Sequence, residues 1–463
     1  MRKLFYPDKV VVVGVSPSPD NLAKNILRNL LKFKFPGEVY AVGNKEGEVY
    51  GKRVYASVLD LPADVDMAAI LIPARFVPRV LDECGQKGVR RAVISSGGFA
   101  EFDEAGRGLQ LQLEAVARKR GIRFLGPNCI GITNLHNGLV VPFSPQNPEL
   151  TVKGSNSVIA QSGGVAMRSG SLFSEAGLGF NKVISIGNKL NIDEVDLLEF
   201  LIDDSETRVI FMYLEDIRRG QDLLRVARKS TKPIVVLKSN VNPATADIAR
   251  SHTAAIAASD DRVVDGALRQ AGVVRVRSLE QFITAAKAFA LPRIQGDNIV
   301  VISPSGGFAV MSADIAGGLG FRLPRLPEHV VKHLETRSRA GVIKFTNPVD
   351  FGDVYDRRAT VDVVTELLKL PEVSAMAVTV PTGGGASGMG FTGPDAEKLL
   401  MDIRDASFSI GKPVAAAVFA GEDQLPKMIK QARFPLFRTI EEAIQALAIQ
   451  RDYWRNKEAL GSL

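Results

Sequence analysis

One pattern occurs twice in this chain of 463 residues and limits its fold more than any other feature. Residues 158–180 (VIAQSGGVAMRSGSLFSEAGLGF) and residues 301–321 (VISPSGGFAVMSADIAGGLGF) each place an apolar strand before Ser-Gly-Gly and a helix that ends in Leu-Gly-Phe. Two further apolar strands follow in each copy, RVIFMYLED with KPIVVLKSN and SAMAVTVPT with KPVAAAVFA. Because internal similarity of this kind indicates duplication, the sequence predicts two homologous α/β domains, at 151–292 and 297–455.

The residues before the repeat alternate short β-branched runs with helical patterns. Apolar strands that alternate with helices are typical of a parallel sheet covered on both faces. The expected strands are KVVVVGVS (9–16), EVYAVGN (38–44), MAAILIPA (67–74), RAVISSGGF (91–99) and IRFLGPNCIGI (122–132). A passage rich in Pro and Asn, at 141–156, is predicted to be a linker. The fold class is therefore α/β, with three consecutive doubly wound domains, the first at residues 1–140.

Composition narrows the class of function. The net charge of +7 is spread along the chain, which fits either a solvated surface or attraction to anionic phosphate ligands. No basic stripe interleaved with aromatic residues is present, so nucleic acid is not an expected partner. Two cysteines, Cys84 and Cys129, cannot form a disulfide framework, which indicates a reduced, cytoplasmic setting. No stretch approaches the roughly 18 apolar residues of a membrane span, so no membrane association is expected.

Three glycine turns are candidate ligand sites, because ligands bind at the carboxyl ends of parallel strands. The turn at Gly14 lacks the Gly-x-Gly-x-x-Gly fingerprint, which leaves either a looser phosphate loop or an ordinary turn between strand and helix. Gly163-Gly164 and Gly306-Gly307 each follow an apolar strand and open a helix, whose first N–H groups carry partial positive charge. These two turns either cradle one phosphoryl group or are close-packing glycines inherited by duplication.

His252 is one of four histidines and lies in the loop SHTAAIAASD. No metal ligand stands two to four residues after it, so a zinc site is disfavoured. It is either an inert surface histidine or a phosphoryl acceptor, which needs a neutral ring and a carboxylate that holds one ring nitrogen. Glu215, at the end of VIFMYLE, is the candidate carboxylate, and the alternative for Glu215 is a solvated acid after a strand.

Seven blocks of sequence, taken in order, resemble a known family. They are GPNCIGI, QSGGVA, IGNKLNIDEVDLLEF, MYLED, SHTAAIAASD, ISPSGGFAV and FTNPVDFGD. Together they resemble the α subunit of the NDP-forming (ADP-forming) acyl-CoA synthetases, relatives of succinyl-CoA synthetase, across essentially the whole chain. The resemblance implies a Rossmann-like CoA-binding domain followed by two flavodoxin-like ligase domains. It also implies the reaction acyl-CoA + phosphate + ADP ⇌ carboxylate + CoA + ATP, through an acyl phosphate and a phosphohistidine.

The resemblance also assigns roles to residues of this chain. The implied coenzyme A contacts are Gly14, Val15, Ser16, Lys45, Ile72 and Pro73 for the nucleotide part, Ser96, Gly97 and Gly98 for the pantetheine end, and Asn128 for the thiol and acyl group. The phosphorylated histidine falls on His252 and its orienting carboxylate on Glu215. The helices after Ser162-Gly163-Gly164 and Ser305-Gly306-Gly307 would hold the phosphoryl group. No metal ligand is implied in this chain.

The family reaction also needs an ATP-grasp domain pair, for which this chain offers no glycine-rich phosphate loop with Mg²⁺ carboxylates. The resemblance therefore implies a separate ATP-grasp β subunit that binds ATP or ADP and Mg²⁺, in an α2β2 heterotetramer. The histidine loop would swing between the two subunits' sites, and the substrate would be a small carboxylic acid or its acyl-CoA.

Several positions depart from the family pattern. Ala254 and Ala258 replace the glycines common in the histidine loop, and alanine narrows backbone freedom. They leave open an alternative function, a non-catalytic CoA-binding or regulatory subunit derived from the family. The proline that is usual beside Lys45 is missing. Arg168 stands where small residues are usual and is either exposed, which is favoured, or a charge offered to an anionic acyl substrate.

Two further alternatives have weaker support. Cys129 follows Pro-Asn beside the implied acyl site, where a buried packing role is favoured over a covalent thioester. A nicotinamide-dependent oxidoreductase would rest on the nucleotide-binding fold alone.

Overall fold

The computed structural model describes residues 1–242, 245, 260–336, 344–352, 356–382, 391, 393–421, 423–432 and 434–461. The chain divides into two compact units, which are described separately. The first unit comprises Met1–Ser174 and Gly179–Leu279, and the second comprises Glu175–Leu178 and Glu280–Leu463.

The first sheet of the first unit has seven strands. They are β1 (Lys9–Val13), β2 (Glu38–Val42), β3 (Gly47–Val49), β4 (Lys52–Tyr55), β5 (Met67–Ile70), β6 (Arg91–Ile94) and β7 (Arg123–Leu125). Their order is β3-β4-β2-β1-β5-β6-β7, and each neighbouring pair is parallel except β3 with β4. The order changes direction at β1, so the turns after β1, β2 and β5 converge at a switch point where ligands bind in such sheets.

The second sheet also has seven strands. They are β8 (Ile132–Asn134), β9 (Leu139–Val140), β10 (Lys153–Ala160), β11 (Phe180–Ser185), β12 (Val209–Leu214), β13 (Ile234–Lys238) and β14 (Val274–Val276). Their order is β14-β13-β12-β10-β11-β8-β9. Strands β10 to β14 are parallel, whereas β8 pairs antiparallel with β11 and β9.

The predicted strand at 122–132 is wrong in its extent. Strand β7 ends at Leu125, and the next strand, β8, belongs to the other sheet. Between them Gly126, Asn128 and Gly131 have φ of +92°, +58° and +103°, values at which an extended strand cannot continue. The predicted linker at 141–156 is shorter as well, because β10 already begins at Lys153.

The third sheet lies in the second unit and has five described strands. They are β15 (Ile299–Ser303), β16 (Val349–Asp350), β17 (Ala375–Pro381), β18 (Val414–Phe419) and β19 (Leu436–Phe437). Their order is β16-β15-β17-β18-β19, and all pairs are parallel. If β15, β16, β17, β18 and β19 are equated with β10, β11, β12, β13 and β14, the third sheet has the strand order of the parallel part of the second sheet. This shared topology is what the duplicated Ser-Gly-Gly pattern predicts.

Helices cover the sheets. The described helices up to residue 270 are α1 (Arg2–Phe5), α2 (Ala23–Lys32), α3 (Val77–Gln86), α4 (Glu104–Arg120), α5 (Gly163–Glu175), α6 (Glu194–Asp203), α7 (Gly220–Lys229) and α8 (Asp261–Gln270). The later described helices are α9 (Leu279–Phe289), α10 (Gly306–Gly318), α11 (Glu328–Glu335), α12 (Arg357–Lys369), α13 (Gly393–Ile410), α14 (Leu425–Ala432) and α15 (Ile440–Ala459).

The two sheets of the first unit share an apolar core. Val10 and Val12 on one face of β1 belong to the cluster that also contains Ile159 and Ile210 of the second sheet. The alternate residues of β1 face a separate cluster on the other side of the first sheet. Because strand side chains alternate between faces, four consecutive valines, at 10–13, are what a sheet buried on both sides requires.

Candidate active site

Gly14 forms the turn that follows β1. Its φ of +105° lies outside the region that L side chains adopt, and a Cβ there would lie 2.1 Å from the carbonyl oxygen of Leu71. The backbone N–H groups of Gly14 and Val15 both donate to the carbonyl of Val42, at 2.8 and 3.0 Å. The turn is therefore fixed to its neighbours after β2 and β5, and glycine is required in it.

Asn21 closes this turn and is a residue that sequence reasoning missed. Its Oδ1 accepts from the N–H of Ser16 at 3.2 Å and of Lys24 at 2.8 Å, while its Nδ2 donates to the carbonyl of Gly14 at 2.8 Å. An asparagine just before a helix is a common capping signal, which could have identified it. Since the Ser16 N–H is already bonded, an anion at this turn would contact the Ser16 hydroxyl.

The other predicted nucleotide contacts lie on neighbouring turns of the same sheet. Lys45 is exposed between β2 and β3, and Pro73 is exposed after β5. Ser96 is buried, and its hydroxyl accepts from the N–H of Ile72 at 3.0 Å. The turns after β5 and β6 are thus joined by a hydrogen bond.

Glu101 holds the turn that contains Gly97 and Gly98, and sequence reasoning missed it too. Its Oε1 accepts from the N–H groups of Gly98 and Phe99, at 2.8 and 3.2 Å. A Cβ on Gly97 would lie 3.3 Å from Oδ1 of Asn128. The glycines therefore place this turn directly beside Asn128.

Asn128 belongs to a polar cluster with a loop of the second sheet. Its N–H donates to the carbonyl of Ser96 at 2.9 Å, and its Nδ2 donates to Oδ1 of Asn188 at 3.4 Å. The Nδ2 of Asn188 in turn donates to Oε2 of Glu101 at 2.6 Å. The structure thus brings together the residues predicted for the pantetheine end and the acyl group.

Cys129, the next residue, is buried, and burial raises the pKa of its thiol to about 12. A thiol with so high a pKa is not ionised at neutral pH, which argues against the covalent alternative. Its Sγ lies 3.4 Å from the carbonyl of Ile94, in agreement with the preferred packing role.

The first Ser-Gly-Gly turn opens α5 beside the same loop. A Cβ on Gly163 would lie 2.5 Å from Cγ1 of Ile130, so this glycine permits close packing. Gly164 is exposed, and a Cβ there would have only the Oγ of Ser162, at 3.9 Å, within 4 Å, so a ligand can approach the helix N-terminus. The two glycines therefore fit different alternatives, packing for Gly163 and ligand approach for Gly164. Arg168 of the same helix is exposed, as expected.

Glu215 lies directly after β12 and is 4% exposed, so it is not a solvated acid. Its N–H donates to Oε1 of Gln161 at 2.8 Å, and its carbonyl accepts from Nζ of Lys238 at 2.9 Å. The hydroxyl of Tyr213 lies 3.4 Å from its Oε1, and burial raises the pKa of this phenol. The backbone on both sides of the carboxylate is therefore fixed by side chains.

A buried network of ionic groups supports this strand end, and sequence reasoning missed it. Lys189 contacts both carboxylate oxygens of Glu194 at 3.0 Å and Oδ1 of Asp216 at 2.7 Å. Gln161 donates to the same oxygen of Asp216 at 3.0 Å. Burial raises the pKa of the Glu194 carboxyl. The contacts of Asp216 with Lys189 and Gln161 join positions 27 and 55 residues apart, which leave no local sequence signal.

Burial lowers the pKa of the Lys238 ammonium to about 8, against an opposing effect of Asp216. From pH 8 to pH 10 the unfolded chain binds more protons at this lysine than the folded chain, so the free energy of unfolding rises with pH. Relative to Lys238→Met, we expect wild-type stability to rise by roughly 2 kcal/mol over that interval in urea denaturation. Lys229→Met, on the exposed end of α7, should keep a constant difference from wild type. A constant difference for Lys238→Met would contradict the prediction.

The second Ser-Gly-Gly turn, at Ser305-Gly306-Gly307, opens α10 in the second unit. A Cβ on Gly306 would lie 3.3 Å from Oδ2 of Asp350, whereas Gly307 faces open space. The shared role of the two turns at one phosphoryl group stays a prediction. His252, Ala254 and Ala258 lie outside the described residues.

The described residues offer neither a metal site nor a membrane-spanning helix. No group of three or more His, Cys, Asp or Glu side chains in them could hold a metal ion. None of the described helices is long and apolar enough to cross a membrane.

Comparison with known families defines the class of protein. A family model described as "CoA binding domain" matches residues 8–134, and one described as "Succinyl-CoA ligase like flavodoxin domain" matches residues 153–289. The α subunit of the ADP-forming acetate–CoA ligase I of Pyrococcus furiosus is 35% identical over 459 residues, which cover 97% of this chain and 96% of that subunit.

Two further relatives agree. The ADP-forming acetate–CoA ligase I of Archaeoglobus fulgidus is 34% identical over 98% of this chain and 64% of its own length. A solved structure of the dinucleotide-forming acetyl-coenzyme A synthetase 1 of Candidatus Korarchaeum cryptofilum, in complex with phosphate and ADP, superimposes with a TM-score of 0.89 at 30% identity, over 99% of this chain and 98% of that one.

The chain therefore belongs to the α subunits of the ADP-forming acyl-CoA ligases. This confirms the family that the seven sequence blocks indicate and the enzyme class that follows from it, an acid–thiol ligase. It also removes the support for a nicotinamide-dependent oxidoreductase.

Proposed function

We propose that this chain interconverts acyl-CoA, phosphate and ADP with carboxylate, CoA and ATP, through an acyl phosphate and a phosphohistidine at His252. The observation that carries the proposal is the position of Glu215, a buried carboxylate at the carboxyl end of β12 whose backbone is held on both sides. A carboxylate is what a phosphoryl-accepting histidine needs to fix its tautomer and orientation.

The chemistry divides among the predicted sites. Phosphate attacks the thioester carbonyl near Asn128, the C–S bond breaks, and CoA leaves as an acyl phosphate forms. The neutral imidazole of His252, oriented by Glu215, then takes the phosphoryl group at its free ring nitrogen, and the carboxylate leaves as the O–P bond of the acyl phosphate breaks. The phosphohistidine finally transfers that group to ADP. The N–H groups that open α5 at Gly164 would stabilise the phosphoryl charge, together with those at Gly307.

Coenzyme A would lie across the switch point of the first sheet, in contact with the turns that contain Gly14, Ser16, Pro73 and Gly98. The tight attachment of these turns to one another supports the proposal, because a rigid edge of this kind needs little reorganisation on binding. Lys45, exposed at the same edge, would contact the phosphates of CoA.

We further propose that a separate ATP-grasp β subunit binds ATP or ADP with Mg²⁺ and completes an α2β2 heterotetramer in the cytoplasm. The name of the Pyrococcus relative as an α subunit supports a partner. The Archaeoglobus relative, of which this chain spans 64%, has room for such a domain on the same polypeptide. The domain limits 1–140, 151–292 and 297–455 remain part of the proposal, although β8 and β9, which lie inside the first range, pair with the second sheet.

The test is phosphoryl labelling of the chain together with its β subunit. With a matching acyl-CoA and radiolabelled phosphate, the wild-type chain should acquire acid-labile, base-stable phosphate, and His252→Ala should acquire none and lose turnover. His136→Ala is the matched control, because His136 is an exposed histidine paired with Glu206 at 3.2 Å. Labelling or normal turnover of His252→Ala would contradict the mechanism.

The alternative, a non-catalytic CoA-binding or regulatory subunit, is favoured by Ala254 and Ala258. It predicts CoA affinity without phosphoryl exchange in the presence of a true partner. A panel of carboxylic acids, from acetate to aromatic acids, would then identify the substrate if exchange is observed.

A further inference from the structure

The loop Gly187-Asn188-Lys189, between β11 and α6, lies between two predicted sites of the first unit. A Cβ on Gly187 would lie 2.3 Å from the carbonyl oxygen of Asn128, and the N–H of Asn188 donates to the carbonyl of Pro127 at 3.0 Å. Gly187 and Lys189 both have positive φ, +54° and +44°. The loop is therefore pressed against the backbone of the predicted acyl site in one tightly defined conformation.

One side of the loop reaches the predicted acyl-CoA site. The side chain of Asn188 is 2% exposed and bridges Oε2 of Glu101, at 2.6 Å, to Nδ2 of Asn128, at 3.4 Å. Through Glu101 it also fixes the N–H groups of Gly98 and Phe99. A shift of Asn188 would therefore move the turn predicted to hold the pantetheine end.

The other side of the loop reaches Glu215. The ammonium of Lys189 lies 2.7 Å from Oδ1 of Asp216, the residue after Glu215, and 2.8 Å from the carbonyl of Asp216. Gln161 bridges Oδ1 of Asp216 to the N–H of Glu215, at 3.0 and 2.8 Å. Buried networks whose groups are paired in this way make a local structure rigid.

We propose that the loop 187–189, which we name the spacer loop, holds the predicted acyl-CoA site and Glu215 at a fixed separation. Asn188 and Lys189 are positioning residues that act on opposite sides of it. The inference rests on the proposed function, because acyl phosphate must form at one site and reach the histidine oriented at the other. A displacement of about 1 Å between reacting groups can cost 100-fold in rate, so a rigid spacer has a large effect.

The test compares Asn188→Asp, Asp216→Asn and the double variant in the complete enzyme with its β subunit. Asn188→Asp places a carboxylate against Glu101 and should raise KM for acyl-CoA about tenfold. Asp216→Asn removes the charge paired with Lys189 and should lower kcat about tenfold, with KM for acyl-CoA nearly unchanged. If the loop links the sites, the two substitutions should not act independently. The loss of kcat/KM in the double variant should then be smaller than the product of the two single losses, by at least about threefold.

Asp204→Asn is the matched control. Asp204 pairs with Lys182 at 2.8 Å, with side chains 5% and 0% exposed, against 4% and 0% for Asp216 and Lys189. Lys182 lies near the opposite end of β11 from the spacer loop. The control should lower the melting temperature as much as Asp216→Asn does, yet leave kcat and KM within about twofold of wild type.

The possible outcomes separate the two proposals. If the wild-type complex has no ligase activity with any acid, the proposed function fails and the inference fails with it. Two results with an active wild type would contradict the role of the spacer loop and leave the proposed function intact. In the first, Asp216→Asn has the same kcat and KM as Asp204→Asn. In the second, the loss of kcat/KM in the double variant equals the product of the losses in the two single variants. If Asp216→Asn does not fold, Gln161→Met is tested in its place. The methionine cannot form the hydrogen bonds that join Gln161 to Asp216 and Glu215, whereas the ion pair of Lys189 with Asp216 remains.

Discussion

Replacement of Glu215 with glutamine should lower turnover of the proposed reaction by about 100-fold or more, within the range observed when a group that assists proton transfer is lost. Glutamine keeps the shape of the side chain and the hydrogen bonds of the backbone to Gln161 and Lys238. It removes the negative charge that would hold a ring N–H of His252 and stabilise the imidazolium. The measurement is steady-state turnover of the complete enzyme at saturating acyl-CoA, phosphate and ADP.

Tyr213→Phe is the control for this prediction. It removes the hydroxyl 3.4 Å from Oε1 of Glu215 but leaves the charge of the carboxylate. We expect it to lower turnover less than about tenfold, as loss of one supporting hydrogen bond does. Affinity for CoA should be unchanged in both variants. If Glu215→Gln keeps more than half of the wild-type turnover, the orienting role is wrong.

Gly14→Ala should lower the free energy of unfolding by about 2–4 kcal/mol and weaken CoA binding by at least about tenfold. The new methyl group would lie 2.1 Å from the carbonyl oxygen of Leu71, and the φ of +105° disfavours any L side chain. Since backbone cannot yield as a flexible side chain does, the turns after β1 and β5 must separate. Urea denaturation and calorimetric titration with CoA measure the two effects.

Gly88→Ala is the control for Gly14→Ala, because it introduces backbone strain without a steric clash. Gly88 has a φ of +87°, and a Cβ there would have no neighbour within 4 Å. The substitution should cost about 1–2 kcal/mol, the usual cost of a left-handed residue, and should not change the affinity for CoA. Equal losses of stability and equal CoA affinity in the two variants would contradict the proposed role of the Gly14 turn.

The duplicated domains could be predicted because both copies of the repeat contain apolar strands in the same order along the chain. The strands that follow each Ser-Gly-Gly turn are buried on both faces, so their sequence alone identifies a parallel sheet. The end of β7 could not be placed by apolar content, since Cys129, Ile130 and Ile132 continue the apolar pattern. The Gly-Pro-Asn sequence at 126–128 does indicate a turn, but the strand prediction followed the apolar residues on both sides of it.

The candidate site was predictable to the extent that its residues follow strands. Ser96, Gly164 and Glu215 each come within four residues of the end of a buried strand, where a ligand edge is expected. Glu101 and Lys189 could not be found in this way, because their roles depend on partners that only the folded chain brings close. Gln161 is the first residue of the block QSGGVA, yet its contact is made with Glu215, 54 residues further along.

The antiparallel pairing of β8 with β11 has a consequence for fragments of this protein. A piece cut at residue 150 to isolate the ligase domain would lose β8 and β9, and β11 would become an unprotected outer strand with all six residues buried in the intact chain. Exposed strands of this kind recruit other molecules and aggregate. A fragment that begins at Gly131 retains the two covering strands and keeps the edge of β11 paired, but it exposes the apolar face that packs against the first sheet in the intact chain.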